Sequence, residues 1–213
     1  MLTVEQKNKI LSTLNEISDL LIDNNIDFCN CDDIDAWDIK SIVASFDDSI
    51  KIYNGVSKLV FYMPLITEEY CIKMPFHFIS SGDVCAYEMD LYNSIEDTYK
   101  EIFMKEEHIG YVDNVPIYIQ PYVETLDMDM EIWDGTVTLP GVISKKQKNE
   151  AKYYIKNFGS KSHFWNYSIL KYYGFKMGKQ ILEVVGNFQD LHDENVGYLA
   201  NGRPVVFDYG GYV

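Results

Sequence analysis

Between Ser49 and Met74 the chain runs through three short apolar stretches separated by turn signals. Ser49-Ile50-Lys51-Ile52 alternates in polarity and leads into Asn54-Gly55, a hairpin dipeptide. Leu59 to Met63 is the next run, Thr67-Glu68-Glu69 the next turn, and Tyr70 to Met74 the third run. Side chains of a strand point alternately to opposite faces, and turns this short join only neighbours of opposite direction. Residues 50–75 are therefore predicted to form three antiparallel strands, and one face of that sheet has to be covered.

Residues 3–23 read as an amphipathic helix packed on this first half rather than one that binds a partner. Ile10, Leu14, Ile17 and Leu21 recur at helical spacing, and Thr3 with Gln6 three residues later is a capping-box pair. The acidic stretch from Asp27 to Asp38, which contains Trp37, reads as a loop or short helix. A second helix is predicted over Asp83–Phe103, with Ser80 or Ser81 as its cap. Two further strands, His108–Val112 and Pro116–Pro121, flank a turn at Asn114. The region from Glu124 to Gly141 is acidic and Met-rich and reads as a connection between two halves. Beyond it lie helical patterns over 145–158, 162–173 and 175–185, the last two split at Gly174. The aromatics Phe164, Trp165, Tyr172 and Tyr173 are expected in a core.

Composition narrows the classes. With 213 residues, 47% of them hydrophobic, the chain can bury a full core as one domain or a two-lobed unit. A net charge of −15 repels bare nucleic acid and anionic membranes, so neither is an expected partner. That charge serves solubility; an acidic surface for a basic partner, or a DNA mimic, is the other meaning it can carry. The basic KKQK at 145–148 is too short to reverse this. No apolar run is long enough to span a bilayer, and the first residues lack the basic start and apolar centre of a signal peptide. Cys29-Asn30-Cys31 lacks the two-residue gap of a zinc half-site, and Cys71 lies in an apolar strand, so reduced thiols in a cytoplasm are expected.

The chemistry concentrates in Phe188–Gly210, F-Q-D-L-H-D-E-N-V-G-Y-L-A-N-G-R-P-V-V-F-D-Y-G. Asp190, Asn195 and Asp208 are the residues that can serve phosphoryl transfer. A carboxylate near an incoming hydroxyl can orient it and accept its proton. An amide oxygen and a second carboxylate can hold the Mg²⁺ that bridges nucleotide phosphates. Gly197 to Phe207 reads as two short strands around the turn Asn201-Gly202, which would fold Asp208 back toward Asn195. The spacing alone is a weak signal. Its setting sharpens it: Val205-Val206-Phe207 before Asp208 is a buried-strand pattern.

In this setting D-L-H-D-E-N-V resembles the catalytic loop of the protein kinase-like superfamily, and D-Y-G resembles its metal-binding D-F-G. The Leu-His after Asp190 also resembles the aminoglycoside phosphotransferase branch. The whole run is similar to small kinase-like proteins of phages and bacteria. The resemblance covers about residues 48–213 and implies an α+β, two-lobed fold. An antiparallel small-lobe sheet with one helix would span 48–124. A reduced helical large lobe would span 125–213, and residues 1–47 would be a helical extension, all in one unit.

Residue by residue, the resemblance implies the following. I-Y-N-G-V-S-K-L-V looks like the glycine-rich loop, with Gly55 and Val60 retained for the nucleotide. Tyr53 and Lys58 stand where two glycines are usual; Lys58 could compensate for the lost phosphate cradle as a point charge, but reads first as a solvated turn lysine. Lys73, in Y-C-I-K, would hold the phosphates, and Glu88 would hold Lys73; Asp90 and Glu96 are the rival partners. The hinge around Gln120 to Val123, including Tyr122, would meet the adenine edge. Asp190 would orient the acceptor, His192 would touch the γ-phosphate or brace the loop, and Asn195 with Asp208 would bind Mg²⁺.

The pattern departs from the family in three places. Phe188-Gln189 replace the usual His-Arg, the glycine loop is thinned, and a minimal unit without an activation segment or later helical subdomain is expected. The expected function is an ATP- and Mg²⁺-dependent phosphotransferase acting on a hydroxyl of a protein or small molecule in the cytoplasm, the host's if the chain is phage-encoded. AMP transfer by the same site is a variant. The alternative is a catalytically inert kinase-like binding protein or inhibitor with an acidic surface. A partner or second copy could cover the reduced large lobe.

Overall fold

The computed structural model describes residues 1–27, 36–55, 57–76, 83–125, 131–133, 136–138, 145, 149, 169, 172–174, 177, 180 and 195–209. It is an α+β structure with a five-stranded antiparallel sheet and three α-helices among the described residues. The chain divides into two compact units. Met1–Asp90 and Lys105–Tyr122 belong to the first; Leu91–Met104 and the described residues from Val123 onward belong to the second.

The first unit opens with helix α1, Val4–Asp23. Its N-terminal N–H groups need outside acceptors, and the Thr3–Gln6 capping box supplies them: Gln6 N donates to Thr3 Oγ1 at 3.1 Å and Thr3 N to Gln6 Oε1 at 3.0 Å. The helix stops because Asn25 takes a left-handed φ of 63°. Asn25 N then donates to the Ile22 carbonyl and Ile26 N to that of Leu21, both at 2.9 Å, a Schellman closure. Ile10, Leu14, Ile17 and Leu21 are completely buried. Helix α2, Ala36–Phe46, follows and buries Ile39 and Val43. The sequence reading of Asp27–Asp38 as a loop or short helix missed most of this element. Its apolar spacing over Ile39, Ile42 and Val43 is helical, but the acidic run before it masked the start.

Strands β1 (Lys51–Asn54), β2 (Lys58–Tyr62) and β3 (Tyr70–Pro75) form the expected meander. Strands β4 (Glu107–Val112) and β5 (Val115–Pro121) complete the sheet in the order β1-β2-β3-β5-β4. Asp113 and Asn114, at φ 49° and 64°, make the β4–β5 turn; two left-handed residues match the twist of the flanking strands. The alternation of side chains gives the sheet two unlike faces. Leu59, Phe61, Ile72, Met74, Ile117 and Ile119 form one, buried in a single core with α1 and α2. The opposite face carries Val60, Lys73 and Tyr118, which lie side by side in register on β2, β3 and β5.

Helix α3, Val84–Ser94, bears on that second face: Val84 and Cys85 are buried with Tyr118. Asp83 caps it, accepting from Cys85 N at 3.1 Å and Ala86 N at 3.0 Å. The expected capping serines, Ser80 and Ser81, lie outside the described residues. The helix is also shorter than the predicted Asp83–Phe103. It ends at Ser94, and a single 3-10 turn, Lys100–Ile102, follows. Asn93, Ser94 and Asp97 explain the break, because short polar side chains favour turns over helix interiors. Ser94 Oγ donates to the Leu91 carbonyl at 2.7 Å, and Asp97 accepts from Lys100 Nζ at 2.8 Å.

The second unit contains a three-stranded sheet in the order β10-β9-β6. Its strands are β6 (Glu124–Thr125), β9 (Val196–Tyr198) and β10 (Pro204–Val206). A separate antiparallel pair, β7 (Glu131–Trp133) and β8 (Thr136–Thr138), lies in the stretch expected to be connection alone. Gly197 is required where β9 meets β6, since a Cβ there would sit 2.8 Å from the Glu124 carbonyl oxygen. Phe103, Val205, Val206 and Tyr209 are buried. Ile169, Tyr172, Tyr173, Met177 and Gln180 are helical on either side of Gly174. Tyr172 is 54% exposed, against the expectation of a core position. Phe164 and Trp165 lie outside the described residues.

Candidate functional site

Lys73 sits in the middle of β3, where strand alternation points it at the face carrying α3. An ammonium group buried on an apolar sheet needs acceptors, and two carboxylates provide them. Lys73 Nζ donates to Glu88 Oε2 at 3.2 Å, and to Glu106 Oε1 in a short contact. Glu88 lies on the inner side of α3 and is completely buried; Asp90, one of its rivals, is exposed on the same helix. Glu96, the other rival, lies exposed beyond the helix end. The structure thus brings Lys73 together with Glu88.

Two further charges join them. Lys58 Nζ donates to Glu88 Oε1 at 2.6 Å, and Lys58 is 3% exposed. The reading of Lys58 as a solvated turn residue is corrected by this. Lys58 is the first residue of β2, two positions before Val60, and so shares the face of Lys73. The signal was present in the strand parity, which the Asn54-Gly55 turn obscured. Glu106, at the entry to β4, was missed altogether. It lies two residues before His108, which pairs with Tyr118, so a period of two places it on the same face. Glu106 is completely buried; its Oε1 accepts from Lys73, and its Oε2 has no hydrogen-bond partner.

Two buried thiols feel the charges of this cluster. Burial pushes the Cys71 thiol up to about 11, against the pull of the Lys73 charge. Burial likewise raises the Cys85 thiol well above its ordinary range, with the Glu106 carboxylate adding to it. Tyr118 is held protonated by burial and by its hydrogen bond to Asp83. Both cysteines are free thiols.

Among the other nucleotide candidates, Gly55 is exposed, its N donating to the Lys58 carbonyl at 3.0 Å across the β1–β2 turn. Val60 is half-buried beside Lys73. Gln120 is buried on β5 opposite Cys71, whose Sγ donates to the Gln120 carbonyl at 3.5 Å. Tyr122 stacks on Tyr62 with ring centroids 4.5 Å apart, and its N donates to the Glu69 carbonyl at 2.8 Å.

Asn195 and Asp208 belong to the second unit. Strands β9 and β10 pair as the Asn201-Gly202 turn requires, Gly202 adopting φ 78°. Phe207 N donates to the Asn195 carbonyl at 3.0 Å, so Asp208 follows directly on the residue paired with Asn195. Tyr209 is locked beneath: its hydroxyl donates to the Met104 carbonyl at 2.9 Å and its ring meets Phe103 edge-on at 5.4 Å. The backbone thus brings an amide residue and a carboxylate residue to one end of the hairpin, and oxygens of these types are ones Mg²⁺ accepts. Among the described residues no group of three or more His, Cys, Asp or Glu is disposed to hold a metal by itself. Asp190 and His192 lie outside the described residues. Among the described residues no helix is long and apolar enough to cross a membrane.

Comparison of the chain with protein-family models, with curated proteins and with solved structures finds no match.

Proposed function

We propose that the chain is an ATP- and Mg²⁺-dependent phosphotransferase of protein kinase-like fold, transferring a phosphoryl group to a hydroxyl. The observation that carries this reading is the buried Lys73–Glu88 pair, made by a third-strand lysine and a glutamate of the helix that follows. Phosphoryl transfer relies on positioning and charge stabilisation, and a lysine held in place by a helix glutamate is one of its recurring parts. The hairpin that sets Asp208 beside the partner of Asn195 supports it further.

In this reading Lys73 meets the nucleotide phosphates and Glu88 fixes its direction. Asn195 and Asp208 hold the Mg²⁺, which when bound neutralises charge on the phosphates. Asp190 orients the acceptor hydroxyl and takes its proton, and His192 contacts the γ-phosphate or braces the loop. The backbone from Gln120 to Tyr122 meets the adenine edge, and Gly55 with Val60 covers the nucleotide. The same residues could transfer AMP instead.

A second reading, a kinase-like binding protein without transfer activity, is favoured by one observation: Lys73 is 2% exposed and engaged by two carboxylates. The test is incubation with γ-labelled ATP and Mg²⁺ in the presence of cell lysate, wild type beside Asp190→Ala and Asp208→Ala. Label transferred by wild type and lost in both variants is expected. Transfer undiminished in Asp208→Ala would refute the assignment. No label from γ- or α-labelled ATP would favour the inert protein.

A further inference from the structure

Glu106 has no role in the phosphotransferase reading above, and its second carboxylate oxygen is buried without a hydrogen-bond partner. Glu88 uses both oxygens, one for each lysine. Glu106 uses one; its second oxygen is buried with no hydrogen-bond partner. An anion held this way keeps its full desolvation cost and recovers only half of its hydrogen bonding. Of the two lysines only Lys73 reaches Glu106, but both reach the Glu88 carboxylate from α3. Their nitrogens are fixed by Glu88 within hydrogen-bond reach of one side chain, at 2.6 Å and 3.2 Å. Two ammonium groups at one carboxylate, with a poorly satisfied second anion against one of them, are the elements of an exchange site for an anion richer in acceptor oxygens.

We propose that Lys58 and Lys73 form a two-lysine phosphate site in which Glu106 is the resident counter-anion, displaced when a polyphosphate binds. The proposal rests on the nucleotide reading above and deepens it by naming the group with which phosphate competes. It assigns Lys58 as a second phosphate-contacting residue in place of a glycine backbone. It makes Glu88 the positioning residue for both lysines. A triphosphate offers several oxygens to the two ammonium groups, whereas Glu106 offers one. Because Glu106 holds Lys73 in the free protein, the observed affinity is lowered by the fraction of molecules in which the seat is taken.

The experiment is calorimetric titration of the full chain with Mg-ATP and, separately, with inorganic tripolyphosphate, for wild type, Glu106→Gln and Lys58→Met. Glu106→Gln keeps the shape and an acceptor oxygen while removing the competing charge, and is expected to bind both probes roughly tenfold more tightly. Lys58→Met is expected to bind both at least about tenfold more weakly, as loss of a charge-assisted contact implies. If Glu106→Gln does not fold, Glu106→Asp replaces it. The shorter side chain leaves Lys73, and tighter binding with faster association is again expected. Binding by wild type with no gain in the Glu106 variant overturns the exchange and leaves the nucleotide reading standing. Absence of binding in all three proteins overturns both.

Discussion

Replacing Glu88 with glutamine tests the cluster as a physical object, independent of any activity. Glu88 is completely buried and accepts from Lys58 at 2.6 Å and from Lys73 at 3.2 Å. The amide has nearly the same shape but no charge, and its NH₂ end is turned on an ammonium group. Removing one partner of a buried ion pair costs about 3–5 kcal/mol. Lys73 keeps Glu106, so the loss stays in that range although two lysines are affected. At about 2–4 °C per kcal/mol for a chain of this size, the melting temperature should fall by roughly 10 °C. The assay is urea unfolding followed by circular dichroism, with thermal melts alongside. Asp90→Asn on the exposed side of the same helix is the control and should stay within about 0.5 kcal/mol. Combining Glu88→Gln with Lys58→Met should recover part of the loss, with a coupling energy of about 1–3 kcal/mol. A Glu88→Gln melt within a degree of wild type, or strictly additive double-variant energies, would refute the reasoning.

Two smaller predictions concern the first unit. Thr3→Ala removes the reciprocal cap of α1 and should cost about 1 kcal/mol in urea unfolding, with Thr3→Ser close to wild type. The Cys71 thiol is displaced from 9.0 to about 11, so the folded protein keeps a proton that the unfolded chain loses. The stability this carries is complete below about pH 8.5 and disappears as pH rises through about 11. The whole displacement corresponds to ~3 kcal/mol. Cys71→Val should flatten the fall in urea midpoint between about pH 8 and pH 10.5, and an unchanged slope would count against the buried-thiol account.

Local signals made most of the first unit legible in the sequence. Thr3 and Gln6 mark the start of α1, its apolar face is the one found buried, and the turns at Asn54-Gly55 and Thr67-Glu68-Glu69 set the strand order that follows. The same holds for the hairpin around Asn201-Gly202. Where reading failed, two rules competed. Over Asp83–Phe103 the apolar spacing continues past Ser94, but polar residues able to bond their own backbone end the helix there. At Lys58 a charged residue beside a turn looks solvated, and only the register with β3 shows that it faces inward. Glu106 could not be found by motif at all. Its partner Lys73 is thirty-three residues away, and their meeting depends on β3 and β4 both flanking β5.

The two faces of the five-stranded sheet are buried in different ways. On one face Leu59, Phe61, Ile72, Met74, Ile117 and Ile119 close against α1 and α2, which is what these strands do where stability alone is served. On the other, the same strands bury Lys58 and Lys73 with Glu88 and Glu106. Buried ion pairs are weak contributors to stability, and apolar residues of similar volume in their place are often neutral or stabilising. The charged face therefore does not follow from the need to fold. Its ammonium groups are fixed in direction by α3, and one of the anions they hold is left half-satisfied. Under the proposed exchange of Glu106 for phosphate, that half-satisfied anion is the one an incoming polyphosphate would displace.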